Sequence, residues 1–238
     1  MPSKTSELAI AGFYDGIYLF YEKANSFLTF GLDLYWRRRA AAMARRAAPA
    51  AASALDACCG TGDFTRALRG AFGPALKLTG ADLSGAMLSV ARPKDSSIEF
   101  VQAEAKALPF PDASFDLVTI SFATRNLNLD RKKLLAALRE FRRVLRPGGV
   151  FLNLETTRPA NPLLWLAMRA YVRTLIALLN RVSPKSRSSY LFLRNTTLTW
   201  SSAAELDALL LEAGFASASH AVLFPGAVAV HTAKKTAA

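Results

Sequence analysis

Cysteine is scarce in this chain of 238 residues, where Cys58 and Cys59 are the only two. One adjacent pair cannot form the disulfide framework of a small secreted protein. In an extended strand their side chains would point to opposite faces, which makes a poor clamp for a metal ion. A disulfide between neighbours would also strain the backbone. We therefore expect a reducing, cytoplasmic setting, in which the two residues serve as small side chains beside a turn.

Histidine is equally scarce, and neither His220 nor His231 has a cysteine pair or an acidic cluster at ligand spacing in the sequence. No metal site is therefore predicted. The N-terminus lacks an apolar run between a positive segment and a small-residue cleavage site, so no signal peptide is expected. Hydrophobic residues make up 52% of the chain, which predicts a folded protein with a buried core.

Acidic residues are few: the chain has 18 of them and 30 basic residues, which gives a net charge of +12. Such a charge favours anionic partners, either nucleic acid or an anionic membrane surface, and a solubilising surface is the plain alternative. Basic residues cluster near the N-terminus and recur in a later, very apolar segment. The later set is Arg169, Arg173, Arg181, Lys185, Arg187 and Arg194.

Short apolar runs alternate with helical patterns through residue 155, which predicts an α/β fold with a parallel sheet and helices on both faces. The predicted strands are 53–59, 75–83, 98–103, 115–122 and 150–154. The predicted helices are 63–69, 84–92 with Ser84 as N-cap, and one through Leu134 and Leu145 that stops at the Pro147-Gly148 breaker. Ligands bind such sheets at the carboxyl ends of the strands, near the switch in strand order.

Two segments fall outside this alternation. Residues 1–50 are largely helical and aromatic-rich and are predicted to form a substrate lid on a cofactor-binding domain at 51–238, which carries a helical insertion at about 160–200. Residues 161–182 form an apolar helix long enough to cross a membrane. Arg169 and Arg173 argue against crossing, because a central arginine costs at least ~2.5–3.5 kcal/mol. A helix on the membrane surface, or over an apolar pocket, fits better, and completion of the core is the alternative.

A glycine turn, Gly60-Thr61-Gly62, follows the first strand and opens the first helix, an arrangement typical of nucleotide binding. No third glycine follows at dinucleotide spacing. Asp63 would repel a pyrophosphate at the helix start, whereas it would attract the cationic amino group and sulfonium of S-adenosylmethionine. Asp82, about 20 residues later at the end of the second strand, is placed to accept hydrogen bonds from ribose hydroxyls. Ordinary helix-capping roles are the alternative for both carboxylates.

The chain resembles class I S-adenosylmethionine-dependent methyltransferases and, more narrowly, the ubiquinone/menaquinone biosynthesis C-methyltransferases. The matching stretches are LDACCGTGD (55–63), ADLSGAML (81–88), ALPFPDASFD (107–116), TISFATRN (119–126), RVLRPGG (143–149) and GAVAVH (226–231), with Asn25, Phe30-Gly31 and Trp36-Arg37 upstream. The resemblance implies a Rossmann-like fold with a mostly parallel, seven-stranded sheet. It also implies methyl transfer to a polyprenyl quinol precursor, demethylmenaquinol or 2-polyprenyl-6-methoxy-1,4-benzoquinol, in menaquinone or ubiquinone biosynthesis.

The resemblance also implies which residues hold the cofactor. Thr61 and the backbone of Gly60 and Gly62 would contact its methionine part, Asp63 would lie near its amino group, and Asp82 would hold the ribose. The other implied cofactor-binding residues are Asp56, Leu83, Glu104, Ala105 and Ser121, with Glu104 and Ala105 at the adenine.

Arg125 and Asn126 follow the fourth strand and would face the acceptor as catalytic residues. Arg125 would stabilise a developing phenolate, because a guanidinium rarely gives up its proton to act as a base. Asn126 would orient a hydroxyl or a water molecule. Tyr21 and Asp33 are weaker candidates, and an ion-pair role at the surface is the alternative for Arg125.

Three positions depart from the family pattern. Cys58 stands where most class I methyltransferases have the first glycine of the loop, Glu104 replaces the usual aspartate, and Thr124 replaces a larger apolar residue before Arg125. The first two bear on cofactor affinity, and the third bears on the shape of the acceptor pocket.

The expected partners are a lipophilic quinol and, transiently, an anionic membrane surface, with no nucleic acid and with a homodimer left open. The expected location is the cytoplasm, at the inner face of the cell membrane. A methyltransferase for another small molecule such as a natural-product phenol, an RNA methyltransferase, and a cofactor-binding protein without turnover are the alternatives.

Overall fold

The computed structural model describes residues 29–127, 130–182, 187–198 and 201–237. Its helices are α1 (Leu32–Ala47), α2 (Asp63–Phe72), α3 (Gly85–Ala91), α4 (Thr124–Leu127), α5 (Arg131–Val144), α6 (Pro162–Val182), α7 (Arg187–Leu198) and α8 (Ala203–Glu212), with a 3-10 turn at Arg92–Lys94. Its strands are β1 (Ser53–Ala57), β2 (Lys77–Asp82), β3 (Glu99–Gln102), β4 (Phe115–Ser121), β5 (Leu145–Thr156), β6 (Ser217–Leu223) and β7 (Val228–Lys234).

The strands form one seven-stranded sheet in the order β3-β2-β1-β4-β5-β7-β6. Strands β1 to β5 pair in parallel, and β7 runs antiparallel to both of its neighbours. The predicted α/β fold with a mostly parallel seven-stranded sheet is therefore confirmed. Chain order reverses at β1, which lies between β2 and β4, so the carboxyl ends of these strands form the crevice in which ligands bind such sheets.

Helices cover both faces of the sheet because successive residues of the central strands are apolar on both sides. On one face α5 and α8 pack on the sheet through an aromatic stack of Phe141, Phe151 and Phe215. On the other face α1 and α2 contribute Trp36, Phe64 and other buried side chains. The two cores hold the strand ends, and hence the crevice, in a fixed position.

The observed strands differ from the predicted ranges by one to five residues at their ends, and the backbone explains two of these differences. Strand β1 ends at Ala57, not at residue 59, because Cys58 adopts a left-handed φ of +52° that turns the chain out of the strand. The sequence Arg146-Pro147-Gly148-Gly149 follows the end of α5, as predicted, but it is already part of β5, which was predicted to begin at residue 150. A register shift between Phe115 and Leu117 accommodates this irregular start. Pro147 lies in the shifted part, where its missing N–H removes no hydrogen bond between the strands.

The N-terminal segment is partly integrated into the domain. Helix α1 buries Trp36, Ala40 and Ala44, and the Trp36 indole Nε1 donates a hydrogen bond to the Phe224 carbonyl at 2.7 Å. Residues 1–28 lie outside the described residues, so the lid at 1–50 stays a prediction.

The predicted insertion at about 160–200 contains α6 and α7. Its segment Pro162–Arg181 is long and apolar enough to cross a membrane by length and composition, and only 6% of its most apolar window is buried inside the protein.

Candidate active site

The loop after β1, residues 58–62, turns tightly at the carboxyl edge of the sheet. The Cys59 amide donates to the Ala81 carbonyl at 3.0 Å, and the Gly62 amide donates to the Cys59 carbonyl at 2.9 Å. Gly60 and Gly62 have φ values of +54° and +81°, which favour glycine. A Cβ on Gly62 would lie 3.2 Å from the Ala91 Cβ, whereas a Cβ on Gly60 would meet nothing within 4 Å. The backbone at Gly60 therefore borders open space that a ligand can approach closely.

The two thiols of this loop, those of Cys58 and Cys59, are poor nucleophiles. Burial raises the pKa of both Cys58 and Cys59 well above the usual thiol value, and the neighbouring Asp82 carboxylate adds to the effect. Both thiols therefore stay protonated at neutral pH and are neither nucleophiles nor good metal ligands. The left-handed φ of Cys58, +52°, is a conformation that glycine adopts without steric cost.

Asp82, at the end of β2, ties the loop to the next element. Its Oδ2 accepts the Gly60 amide at 2.8 Å and its Oδ1 accepts the Ser84 amide at 2.9 Å. Ser84 caps α3 as predicted, because its hydroxyl accepts the Met87 amide at 3.1 Å. An ionised carboxylate is an acceptor-only group, the type of group to which the two hydroxyls of a ribose donate.

Asp63 begins α2, and the cation beside it in this structure is Lys94. The Lys94 ammonium lies 3.0 Å from the Asp63 carboxylate and also donates to the Thr61 carbonyl at 2.7 Å. Lys94 thus clamps the loop to the 3-10 turn after α3. The contact of Asp63 with the cofactor's amino group stays a prediction.

Asp56 supports the site from within β1. Its carboxylate has no exposed surface and accepts hydrogen bonds from the Thr65 hydroxyl at 2.6 Å and the Thr119 hydroxyl at 2.8 Å. Burial raises the pKa of Asp56 to about 6, against the lowering effect of the two hydroxyls. This carboxylate therefore joins β1, α2 and β4 directly beneath the loop.

The remaining predicted cofactor residues lie along the same edge of the sheet. The Leu83 carbonyl accepts the Gln102 side-chain amide at 2.9 Å, next to β3. After β3, Glu104 pairs with Lys106 at 2.7 Å and Ala105 is buried. Ser121 closes β4 and is half-buried. The open approach at Gly60 and the Asp82 carboxylate beside it fit S-adenosylmethionine.

A buried ion pair lies where Arg125 and Asn126 were predicted to face the acceptor. The Arg125 Nη1 donates to Glu155 Oε1 at 2.7 Å, and the Arg125 backbone amide donates to Glu155 Oε2 at 3.2 Å. Glu155 has no exposed surface and also accepts the backbone amide and the hydroxyl of Thr156. Arg125 is therefore a buried cation that pairs with Glu155 between α4 and the end of β5. The ion pair of the alternative reading is present but buried, and the catalytic role of Arg125 stays a prediction.

The other predicted catalytic residues have different surroundings. Asn126 is buried, and its backbone amide donates to the Ala123 carbonyl at 3.0 Å. Asp33 pairs with Arg37 at 3.1 Å, and the Arg37 guanidinium lies over the Phe122 ring at 5.2 Å. Tyr21 lies outside the described residues.

Sequence reasoning missed Glu155, Arg37 and Lys94 as parts of this site. Glu155 follows a buried apolar strand in the same manner as Asp82, and that signal could have found it. Arg37 and Lys94 come from helical segments whose approach to the loop and to β4 is set by packing alone, so the sequence carried no local signal for them.

The sheet order, the glycine loop after β1 and the carboxylate at the end of β2 define the class I methyltransferase fold. A family model described as the ubiE/COQ5 methyltransferase family matches residues 3–235, and the chain belongs to that family. The predicted enzyme class, a methyltransferase, and the predicted cofactor, S-adenosylmethionine, are thereby confirmed.

Similar proteins agree with this family. The chain is 36% identical over 218 residues to demethylmenaquinone methyltransferase of Staphylococcus aureus strains JH9 and Newman, covering 90% of this chain and 88% of each relative. Two solved structures share the fold. One is a SAM-dependent methyltransferase from Thermotoga maritima, with a TM-score of 0.60, 20% identity and coverage of 92% of this chain and 100% of that one. The other is SAM-bound CalS10, an amino pentose methyltransferase from Micromonospora echinaspora, with a TM-score of 0.58, 18% identity and coverage of 84% and 92%.

Proposed function

We propose that this enzyme transfers a methyl group from S-adenosylmethionine to a ring carbon of a polyprenyl quinol, with demethylmenaquinol as the substrate. The observation that carries the proposal is the buried cation Arg125 at the acceptor end of the crevice, in a chain whose relatives are named demethylmenaquinone methyltransferases. A quinol is an acidic, electron-rich ring, and its ring carbon becomes a better nucleophile when a hydroxyl loses its proton.

The reaction balances without a further reactant. When bound, S-adenosylmethionine supplies a methyl group on a cationic sulfur. A bond forms between the ring carbon and this methyl carbon while the carbon–sulfur bond breaks, and the ring carbon then loses its proton to restore the aromatic quinol. The phenolate oxygen regains a proton in this step, so the products are the methylated quinol, S-adenosylhomocysteine and one proton, which passes to solvent.

The chain's own residues orient the reactants and stabilise charge. The positive charge of the Arg125 guanidinium faces the phenolate. Because Glu155 holds the guanidinium in position beforehand, little reorganisation accompanies the reaction. Asn126, the next residue, orients the second hydroxyl. Orientation of two reactants in a dry crevice supplies much of the remaining rate acceleration.

The test is incubation of the purified enzyme with methyl-labelled S-adenosylmethionine and one of three acceptors: a demethylmenaquinol analogue, a 2-polyprenyl-6-methoxy-1,4-benzoquinol analogue, or total RNA. We expect label in the demethylmenaquinol product. Label in the benzoquinol product alone would move the enzyme to the ubiquinone precursor, and label in RNA alone would refute the proposal. An Arg125→Ala variant that turns over normally would remove Arg125 from the mechanism.

We further propose that the enzyme meets this substrate at the inner face of the cell membrane, with α6 lying along the bilayer surface. Large apolar side chains are exposed around the carboxyl edge of the sheet and form what we call the apolar rim: Phe30, Leu163, Leu166, Leu178 and Phe224, which are 53–79% exposed. The elements that carry the rim are packed together. Phe30 stacks beside Tyr171 of α6 at 5.9 Å, and the loop at Gly226 adjoins Leu164 of α6.

The charge on α6 favours an anionic surface. Arg173 and Arg181 are exposed, and the Arg169 guanidinium lies over the Trp165 ring at 5.8 Å. Such a helix inserts its apolar face at the headgroup boundary while its arginines reach the phosphates. Each basic residue near an anionic surface contributes about 1 kcal/mol.

Vesicle flotation tests this location. We expect binding to phosphatidylglycerol vesicles and much weaker binding to phosphatidylcholine vesicles. The double variant Leu163→Ser/Leu166→Ser should lose binding, while the matched control Leu211→Ser/Val222→Ser, on exposed apolar residues of α8 and β6, should keep it. Binding that ignores anionic lipid content, or equal binding by both double variants, would contradict the proposal.

A further inference from the structure

The described part of the chain contains a cluster of metal-ligating groups, away from the methyl-transfer site, on the face of the sheet covered by α5 and α8. His220 on β6 and His231 on β7 are register partners, and Asp207 of α8 lies over both. Their Nδ1 atoms lie 2.6 Å and 2.7 Å from the two oxygens of the Asp207 carboxylate. One ligand atom from each of the three residues lies within 4.8 Å of the others. The sequence predicted no metal site because no carboxylate neighbours the histidines along the chain, whereas the fold brings Asp207 to them.

We propose that Asp207, His220 and His231 form a binding site for a divalent transition-metal ion, with Zn²⁺ as the cation of best fit. Imidazole nitrogen and carboxylate oxygen are the ligands that zinc accepts together, and three protein ligands leave a fourth position for water. Helix α8 packs on the sheet, and β6 and β7 are strands of it, so the three ligands come from rigid elements.

The three side chains of the cluster differ in exposure, and the more exposed ones give a metal ion access to the site. The His231 side chain is 1% exposed, the Asp207 side chain 16% and the His220 side chain 31%. Ligand atoms around zinc are about 3.3 Å apart, as bond lengths of 2.0–2.2 Å require, so the short nitrogen–oxygen contacts must open by about 0.6 Å. His220 and the Asp207 carboxylate, the two more exposed groups, can open both contacts while the buried His231 stays in place.

A second polar group on the same face is independent of the hydrogen bonds within the cluster. Asn153 on β5 is the register partner of His231 on the side away from His220, and it is fully buried. Neither its amide nitrogen nor its amide oxygen has a hydrogen-bond partner among the described residues. When the Nδ1 of a neutral histidine binds a metal, its ring proton moves to Nε2, and metal-bound histidines usually donate that proton to an acceptor such as an amide or carboxylate oxygen. The Asn153 amide, unpartnered and opposite His231 in the strand register, would accept this proton after a rotation of its side chain.

The cluster shares no residue with the methyl-transfer site. Asp207 and the two histidines stand on α8, β6 and β7, whereas the cofactor loop follows β1 and the buried arginine follows β4. Both thiols of the chain follow β1, so they lie on different elements from the cluster. A bound ion would fasten α8 to the β6–β7 hairpin, which forms one edge of the sheet.

The experiment uses the full chain without an affinity tag, dialysed against a chelator, and titrated with Zn²⁺ by calorimetry and with Co²⁺ by visible absorption. We expect saturable binding of one ion per chain and a cobalt spectrum without a thiolate charge-transfer band. His220→Ala and Asp207→Asn should each weaken binding at least ~10-fold. Glu212→Gln, which removes another carboxylate of α8, and Cys58→Ser/Cys59→Ser should bind as the wild type does.

Three results would overturn the inference. They are the absence of saturable zinc binding by the wild-type chain, unchanged affinity in both His220→Ala and Asp207→Asn, and loss of binding in the double cysteine variant. X-ray absorption of the zinc-loaded wild-type protein gives the ligand types without any substitution, and sulfur in its first shell would also exclude the site.

Discussion

The guanidinium of Arg125 and the carboxylate of Glu155 form a buried pair, 2.7 Å apart, that joins α4 to the end of β5. Glu155 accepts from both the side chain and the backbone amide of Arg125, so it fixes the direction of the arginine as well as its charge. A buried pair of this kind adds little net stability compared with apolar residues, but removal of one partner leaves an uncompensated charge.

Replacement of Glu155 by glutamine should therefore affect both stability and turnover. We expect a loss of about 3 kcal/mol in the free energy of unfolding, measured with urea, because the Arg125 charge stays buried without its counter-ion. The kcat should fall at least ~10-fold with little change in the KM for S-adenosylmethionine, since the arginine loses its fixed position. The exposed pair of Arg131 and Glu212 supplies the control, because Glu212→Gln should cost less than about 1 kcal/mol and leave kcat unchanged.

Asp56 should make the enzyme less stable as the pH rises. Its pKa in the folded protein is about 6, above the usual 3.8, so the folded state binds the proton more tightly than the unfolded state does. The stabilisation from this proton is fully present below pH 3.8 and is lost as the pH rises through about 6. Urea unfolding of wild type and Asp56→Asn should show that the variant gains relative stability across this window, by up to about 3 kcal/mol. A difference that stays constant with pH would contradict the assignment.

Asp82→Ala should weaken binding of S-adenosylmethionine at least ~10-fold, as seen by calorimetry, because the ribose loses its acceptor and the Gly60 amide loses its anchor. Asp95 provides a matched control. Its exposed carboxylate makes the same bond to the amide two residues later, at 3.0 Å to Ser97, as Asp82 makes to Ser84. Asp95→Ala should leave cofactor affinity unchanged, and equal losses in both variants would remove the ribose role from Asp82.

The left-handed backbone of Cys58 predicts opposite effects for two substitutions. Cys58→Val should lose about 1–2 kcal/mol in urea unfolding, because a β-branched side chain is poorly tolerated at positive φ. Cys58→Gly should be close to neutral, since relief of the strain is offset by the extra freedom of glycine in the unfolded chain. Cofactor affinity measured in the same two proteins shows whether the cysteine itself limits binding. A valine variant as stable as the glycine variant would show that the loop carries no strain.

Much of the fold was predictable from short-range pattern. The alternation of apolar runs and helical periodicity placed the five parallel strands to within a few residues, and the Ser84 cap was predicted to the residue. The errors lay at Cys58 and at Arg146-Pro147-Gly148-Gly149, where the backbone conformation depends on hydrogen bonds to other strands. The Cys59 amide bonds to β2, and the irregular start of β5 pairs with Phe115, and neither partner is visible in the local sequence.

The sequence by itself determined the order of the elements, the glycine loop and the carboxylate at the end of β2, because these depend on residues near one another in the chain and on the resemblance they carry. Only the tertiary structure decided which distant groups meet. It placed Glu155 on Arg125 across 30 residues, Lys94 on Asp63 across 31, and Asp207 on His231 across 24. Such contacts follow from the strand order and the packing of helices on the sheet, and residue spacing along the chain does not encode them.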